Sequence, residues 1–551
     1  MKKQFLCILS SYFLVTITII NNLVRFEDHN SLLIAVFIFI IFLYLYLIWS
    51  HNKLNEHEQL ALLLNCVFSL LFAQTLVSDY LSGMDINGEY HVFLRVLSTA
   101  QWHPYNSPYY YSSLLSVTLL PSMMFIVSGI STQLSFKLLF TTISAFISLL
   151  IFHIYRKHFN RTIAIISSLI FLTQKSFFNI VLNAGRQVVA FFLLSLFTNI
   201  LFKDTNINFN KIVLIILLIA GIVFSHYTVN LLLLLFFVIV SLLSFRFDRK
   251  IYSQAISIII ISIMITFLYY FLTTPIGNFI ATVVIRVQLE LKEIPEPINI
   301  MGNALEIKYF SKMLNIIILF FISIGILRII ITRELNMLNI YIISAYLVLL
   351  FDYFIGPYYG YGRFFQQFLM LLAPMFSYGL ITFLKLFKRE YLFPVFVSVI
   401  VIAQLLAVTS VIEPASYLLV NKRSDIYLHL NVLSSEVNTI MFMDIFLPDK
   451  GNFTVITDFF GTGRIVSNVK KITPIFLNLG NYSYRNIIII DNFETIKWIK
   501  NKIIFLRYEN IMYNRIAKGW FTYESIELYL NYLNNNNLIY TSGASELFCD
   551  I

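Results

Sequence analysis

The sequence predicts an α-helical polytopic membrane protein of about 13 transmembrane helices, closed by a small C-terminal α/β or α+β domain. Hydrophobic residues make up 58% of the 551-residue chain and charged residues 12%, against about 45–50% and about 25% in a soluble domain. The apolar residues gather into runs of about 17 or more, long enough to cross a bilayer as helices. Mean hydropathy is +0.79. The net charge of +10 does not point to nucleic acid, because Lys and Arg lie mostly in short connections between apolar runs, where the positive-inside bias places them.

The elements follow in order. Lys2 and Lys3 precede an apolar run to Leu23 without a small-residue cleavage site, which reads as a retained signal-anchor helix with a cytoplasmic N-terminus. A second helix (about 31–50) returns to a cytoplasmic connection containing Lys53, and a third (about 59–79) exits into the first large outer loop, 80–136. Within that loop the run 114–127 contains Pro121 and reads as interfacial. Were it to span, the basic segment 155–161 would face outward, against the orientation bias. The run 137–154 then crosses. Nine further spans are expected at about 162–174, 187–202, 211–225, 228–245, 251–272, 313–331, 338–355, 364–384 and 391–411. This choice puts all five basic clusters (156–161, 203–211, 246–250, 328–333 and 385–389) on the cytoplasmic side.

Composition shifts after Glu413-Pro414. Residues 1–412 read as the transmembrane domain and 413–551 as an extracellular domain. That domain shows strand-like runs at 453–457 and 487–490 and an expected helix around 523–533. Asn452 and Asn481 stand in glycosylation sequons there. Cys7, Cys66 and Cys549 have neither disulfide nor metal-site spacing.

Ionisable groups at a membrane surface cost free energy unless they serve a site. Asp85 and Glu89 follow a membrane span directly and share a face if their segment is helical. One can act as general base, or the pair can hold a divalent cation such as Mg or Mn through oxygen ligands. The bland alternative is an acidic helix end facing water. His91 either contacts substrate or supports the pair. Arg186, where a helix re-enters after an outer loop, either grips a lipid phosphate or snorkels to the headgroups. His226, in Ser225-His226-Tyr227, shares that duality. The turn Gly356-Pro357-Tyr358-Tyr359-Gly360-Tyr361-Gly362-Arg363 joins glycines, aromatic faces and a cation. Tyr361 suits stacking on a sugar and Arg363 a phosphate, unless the turn is an aromatic belt. Pro295-Glu296-Pro297 reads as a rigid turn.

Together these features resemble the C-type superfamily of integral membrane glycosyltransferases, which use lipid-phosphate sugar donors. That superfamily carries an acidic motif in its first large outer loop, as Asp85-Ile86-Asn87-Gly88-Glu89 is here. Jaw-like surface helices follow, matching 114–127, and then a helix ending in a basic aromatic turn, matching 155–161. The chain also resembles a set of archaeal multi-pass membrane proteins of unassigned function. They share patches like Gly83 to Tyr90, Arg186-Gln187, Ser225-His226-Tyr227 and Arg363-Phe364-Phe365-Gln366-Gln367. Two extra helices before the acidic loop depart from the simplest layout of the superfamily. The resemblance implies inverting transfer from a polyprenyl-phosphate-linked sugar to a glycan, lipid or protein acceptor on the outer face. Asp85 would be the base, and Arg186, Arg363 and His226 would hold the donor phosphate. Some relatives bind a divalent cation at the acidic loop and others need none. A polysaccharide polymerase or ligase is the alternative among enzymes. A transporter or flippase of lipid-linked sugars is the alternative outside them; charges are sparse within the spans, Asp352 being the main exception.

Overall fold

The computed structural model describes residues 31–76, 80–104, 110–202, 209–273, 310–332, 336–355, 361–409 and 434–446, with seven strands beyond them and a few single residues. Most of the expected first span, the outer loop 274–309, the turn 356–360 and the sequon residues Asn452 and Asn481 lie outside the described residues, as do the side chains of Asp352 and Tyr361.

Sixteen helices are described. They are α1 (Ser31–Ser50), α2 (Glu56–Thr75), α3 (Met84–Thr99), α4 (Leu119–Ser128), α5 (Thr132–His158), α6 (Arg161–Leu172), α7 (Lys175–Asn183) and α8 (Gly185–Leu201). Then come α9 (Phe209–Ser225), α10 (Tyr227–Phe247), α11 (Arg249–Thr273), α12 (Phe310–Thr332), α13 (Met337–Ile355), α14 (Tyr361–Leu386), α15 (Phe393–Val408) and α16 (Ser434–Phe446). Each expected span from the second onward coincides with a described helix. Among the described residues eight helices are long and apolar enough to cross a membrane, or nine when the bent pair α6–α7 counts as one span. The chain is a multi-pass membrane protein.

Two segments differ from the sequence-based expectation. The interfacial run is shorter than 114–127: a helical turn at Tyr110–Ser113 precedes the ten-residue α4. At about 1.5 Å per residue α4 is too short to cross a bilayer, and it exposes Met123, Ile126 and Val127. The span expected at 162–174 instead breaks after Leu172 and continues as α7, bent by 51°, where a loop was expected.

Contacts divide the chain into two compact units. The first contains Met1–Val77, Leu138–Val181 and Gly185–Leu419. Its centre is α14, which packs against α6, α12 and α13. The α12–α14 seam is a backbone contact. A Cβ on Gly379 would overlap the Phe321 carbonyl oxygen, and one on Gly325 would overlap that of Met375. Small residues permit such approach where lipid gives no hydrophobic drive to association. Below the glycines Arg328 Nη1 donates to Thr382 Oγ1 at 3.1 Å and the guanidinium lies 5.9 Å from the Tyr378 ring centre. Elsewhere in this unit α2 starts with a capping box, Asn55 Oδ1 accepting from Glu58 N (2.9 Å) and Glu58 Oε2 from Asn55 N (2.7 Å).

The second unit contains Ser78–Lys137, Leu182–Ala184 and Val420–Ile551. Its five-stranded sheet has the order β2-β1-β3-β7-β6, formed by Ile487–Ile489, Thr454–Thr457, Lys502–Leu506, Glu546–Cys549 and Asn537–Thr541. β1 pairs in parallel with β2 and β3, while β7 is antiparallel to β3 and β6. Parallel strands need crossover connections, so the sheet is mixed and is not a simple meander. Ile504, Phe505, Leu506 and Leu547 are buried in it, and α16 is fastened by a 2.6 Å hydrogen bond between Thr439 and Ser545 hydroxyls. β4 (Arg515–Ala517) and β5 (Tyr523–Ser525) form a separate antiparallel pair. The helix expected from 523 therefore begins as a strand. Tyr523-Glu524-Ser525 pairs with Arg515–Ala517, and that tertiary partner overrides a local helical reading.

Candidate functional site

The sequence-predicted residues fall into two groups, one in each unit. In the second unit α3 carries the acidic motif. Gly83 caps it with φ +109° and ψ 163°, a conformation reserved for glycine, and a Cβ there would overlap the Asn183 side chain. Asn87 Nδ2 donates to the Gly83 carbonyl, tying the turn to the helix it starts. Asp85 lies in the first turn, half-buried, where the helix dipole favours a carboxylate. Glu89, one turn further on, has 0% exposure. The expected shared helical face exists, yet the two carboxylates occupy different environments. His91 is half-buried, and all three make polar or electrostatic contacts with neighbours.

What holds α3 in place is aromatic. Tyr90 and Phe93 each pack on Phe136 with ring centres 5.5 Å apart, and the Tyr90 hydroxyl shares a 2.7 Å hydrogen bond with that of Thr132. Trp102 Nε1 donates to the Ser112 carbonyl at 2.8 Å, closing the loop after α3.

In the first unit Arg186, His226 and Arg363 each stand at a helix N-terminus. Arg186 occupies the first turn of α8 at 4% exposure, after Gly185, which packs so tightly on the Phe140 ring that a Cβ would lie 2.6 Å from it. His226, at 2% exposure, is the N-cap of α10, and its Nδ1 accepts from Val229 N at 3.3 Å. A neutral ring accepting at Nδ1 carries its proton on Nε2. Arg363 sits half-buried in the first turn of α14. Burial pushes the His226 imidazole well below its ordinary range, and the Arg186 and Arg363 guanidiniums push it further. Both cations therefore act on one ring. Positive charge from both guanidiniums is felt at this ring, and helix N-termini add potential of the same sign, which suits an anion.

Two kinds of residue escaped the sequence reading. Tyr269 and Tyr270, at the end of α11, join Tyr227 and Phe224 in an aromatic wall: Phe224 and Tyr269 rings are 4.4 Å apart and Tyr227 stacks on His226 at 5.5 Å. Two tyrosines closing an apolar run were the available signal. Buried amides are the second kind. Gln366 and Gln367 stood in a recognised patch without an assigned role; both are buried, and Gln366 bonds across to the α6–α7 break.

A divalent cation of the Mg or Mn type prefers about six oxygen ligands. Among the described residues no group of three or more His, Cys, Asp or Glu side chains is placed to hold one. On the acidic helix the described carboxylates are Asp85 and the sealed Glu89.

With this geometry the fold is similar to two solved structures. One is the archaeal oligosaccharyltransferase AglB from Archaeoglobus fulgidus, in complex with an inhibitory peptide and a dolichol-phosphate. It is 13% identical over 85% of this chain and 70% of that chain, with a TM-score of 0.51. The other is ArnT from Cupriavidus metallidurans in the apo state, 8% identical over 86% of this chain and 94% of that chain, with a TM-score of 0.50. No protein-family model matches the sequence, and no curated protein matches it. The chain shares the polytopic membrane fold of these structures.

Proposed function

We propose that the chain is a membrane glycosyltransferase that moves a sugar from a polyprenyl-phosphate-linked donor to an acceptor. One observation carries this reading: Arg186 and Arg363, at two helix N-termini, both bear on the buried His226 ring at a third. Such positive potential suits an anion such as a phosphate. The fold is shared with AglB, which was solved with a dolichol-phosphate.

In this reading Asp85 is the general base, its carboxylate half-accessible at the start of α3. It takes the proton from an acceptor hydroxyl or amide as the acceptor attacks the anomeric carbon. The bond from that carbon to the phosphate oxygen breaks, the configuration inverts, and the leaving polyprenyl phosphate keeps the electron pair against Arg186 and Arg363. Glu89, sealed one turn below, orients α3 rather than meeting substrate. His91 and the tyrosines, Tyr361 among them, contribute contacts to the sugar or acceptor. The basic clusters place the N-terminus in the cytoplasm and put Asp85 and the domain at 413–551 outside, beyond the membrane domain at 1–412. An outer site suits a lipid-linked donor, since nucleotide sugars stay in the cytoplasm.

Incubation with a panel of polyprenyl-phosphate sugars tests the reading. Release of polyprenyl phosphate from one of them, lost in Asp85→Asn, is the expected result. Neither turnover nor binding with any donor sinks it, and turnover only of diphosphate-linked oligosaccharides would move the assignment to a polymerase or ligase.

The break between α6 and α7 favours one other reading. Broken helices form binding sites in transporters, and a flippase of lipid-linked sugars would use one. Unaltered lipid-linked sugar crossing proteoliposomes would establish it.

A further inference from the structure

We infer that Gln366 is a positioning residue that fixes the broken helix α6–α7 against α14, setting Arg186 and Arg363 in register; the inference rests on the lipid-phosphate reading above. A break inside an apolar helix frees carbonyl groups that lipid cannot satisfy. At this break Gln366, 0% exposed, donates from Nε2 to the Phe171 carbonyl at 3.0 Å. Its Oε1 accepts from the Ser176 hydroxyl at 2.8 Å, in the first turn of α7. One amide thus holds both sides of the break. Ser176 also lies against the start of α14, where a Cβ on Gly362 would meet its Cβ at 3.4 Å.

The placement links three elements. Gln366 lies three residues after Arg363 on α14, on the same helical face. The segment it clamps runs from α7 through Ala184 into α8, which starts at Gly185 and carries Arg186. The adjacent Gln367 donates to the Val229 carbonyl at 3.5 Å, in the first turn of α10, the helix that His226 caps. Thr173, at the break, adds a bond to Gln404 of α15. Arg363-Phe364-Phe365-Gln366-Gln367 is therefore a unit in which one residue supplies charge, one amide holds the break that leads into the Arg186 helix, and the other holds the helix capped by His226.

Gln366→Met keeps the side chain's length and removes both hydrogen bonds. Two readouts on the full-length protein separate the possibilities: hydrogen exchange across residues 171–181, and affinity for dolichyl monophosphate. Gln366→Met is expected to raise exchange there about tenfold and weaken dolichyl monophosphate binding about tenfold, the equivalent of one buried bond. Ser176→Ala should do less, and should add nothing in the Gln366→Met background. Gln59→Met is the control, because it deletes another buried amide, bonded to the His51 carbonyl at 2.7 Å; it should cost stability and leave lipid affinity unchanged. Wild-type exchange in Gln366→Met overturns the clamp. Raised exchange with unchanged affinity reduces the clamp to a structural role and overturns the positioning. A wild-type protein that does not bind dolichyl monophosphate overturns the positioning through the functional reading itself, leaving the exchange result to judge the clamp alone.

Discussion

The acidic helix α3 and the cationic cluster at α8, α10 and α14 are built on one plan with opposite charge. Each pairs a half-buried group, Asp85 or Arg363, with a sealed one, Glu89 or Arg186. They differ in how the charge meets the backbone. A carboxylate in the first turn of a helix is stabilised by the dipole, whereas a guanidinium there is opposed by it, by about 0.3–1 kcal/mol each. In the proposed function a bound phosphate would offset that opposition.

If the accessible acid does the chemistry, Asp85→Asn should lower transfer by about 10²–10⁴-fold while costing no more stability than the lost dipole contact of about 0.3–1 kcal/mol, because the amide keeps the size and lacks the basicity. Wild-type turnover would return α3 to an acidic helix end. Glu89→Gln, by contrast, should lower melting temperature and activity together, and a pure turnover defect would make Glu89 a second chemical group.

The rigidity of the acidic side rests on Gly83. Its backbone lies where only glycine is unstrained, so Gly83→Ala should cost about 1–3 kcal/mol, with further loss from overlap with Asn183. A melting curve indistinguishable from wild type would show that the turn adapts. On the cationic side Arg363→Lys should weaken polyprenyl-phosphate binding about tenfold, through loss of a charge-assisted bond of about 1.5–3 kcal/mol. Equal affinity for Arg363→Ala would assign this arginine to the lipid headgroups.

The smallest expected effect is one of pH. Burial and two arginines lower the His226 pKa in the folded state, so the unfolded chain binds that proton more tightly. Stability is then full above the ordinary histidine value of about 6.5 and falls as pH drops below it. Melting temperatures at about pH 8 and about pH 5 should differ less in His226→Asn, which keeps an N-cap acceptor and does not titrate. An unchanged pH slope would show that the imidazole is not held neutral.

Legibility in the sequence followed contrast. Asp85, Arg186, His226 and Arg363 stand out because ionisable groups are rare in an apolar chain, and the basic clusters stand out for the same reason. The helix break was not legible. Gln174-Lys175-Ser176 reads as the start of a loop, yet Phe177, Phe178, Ile180, Val181 and Leu182 are buried as α7. The strand at Tyr523–Ser525 was missed because its partner at Arg515–Ala517 was not visible in local pattern.

Hydropathy and charge spacing alone decide that this chain crosses a membrane many times and where its ionisable residues cluster, because insertion is a property of each segment and its flanks. Which helices touch was decided only in three dimensions. Gly325 and Gly379 look like ordinary glycines until α12 and α14 meet at the backbone. Gln366 looks like a stray polar residue until it faces the freed carbonyl of Phe171. Both depend on partners far away in the chain, and in a lipid-facing bundle close backbone approach and satisfied polar groups, rather than hydrophobicity, choose those partners.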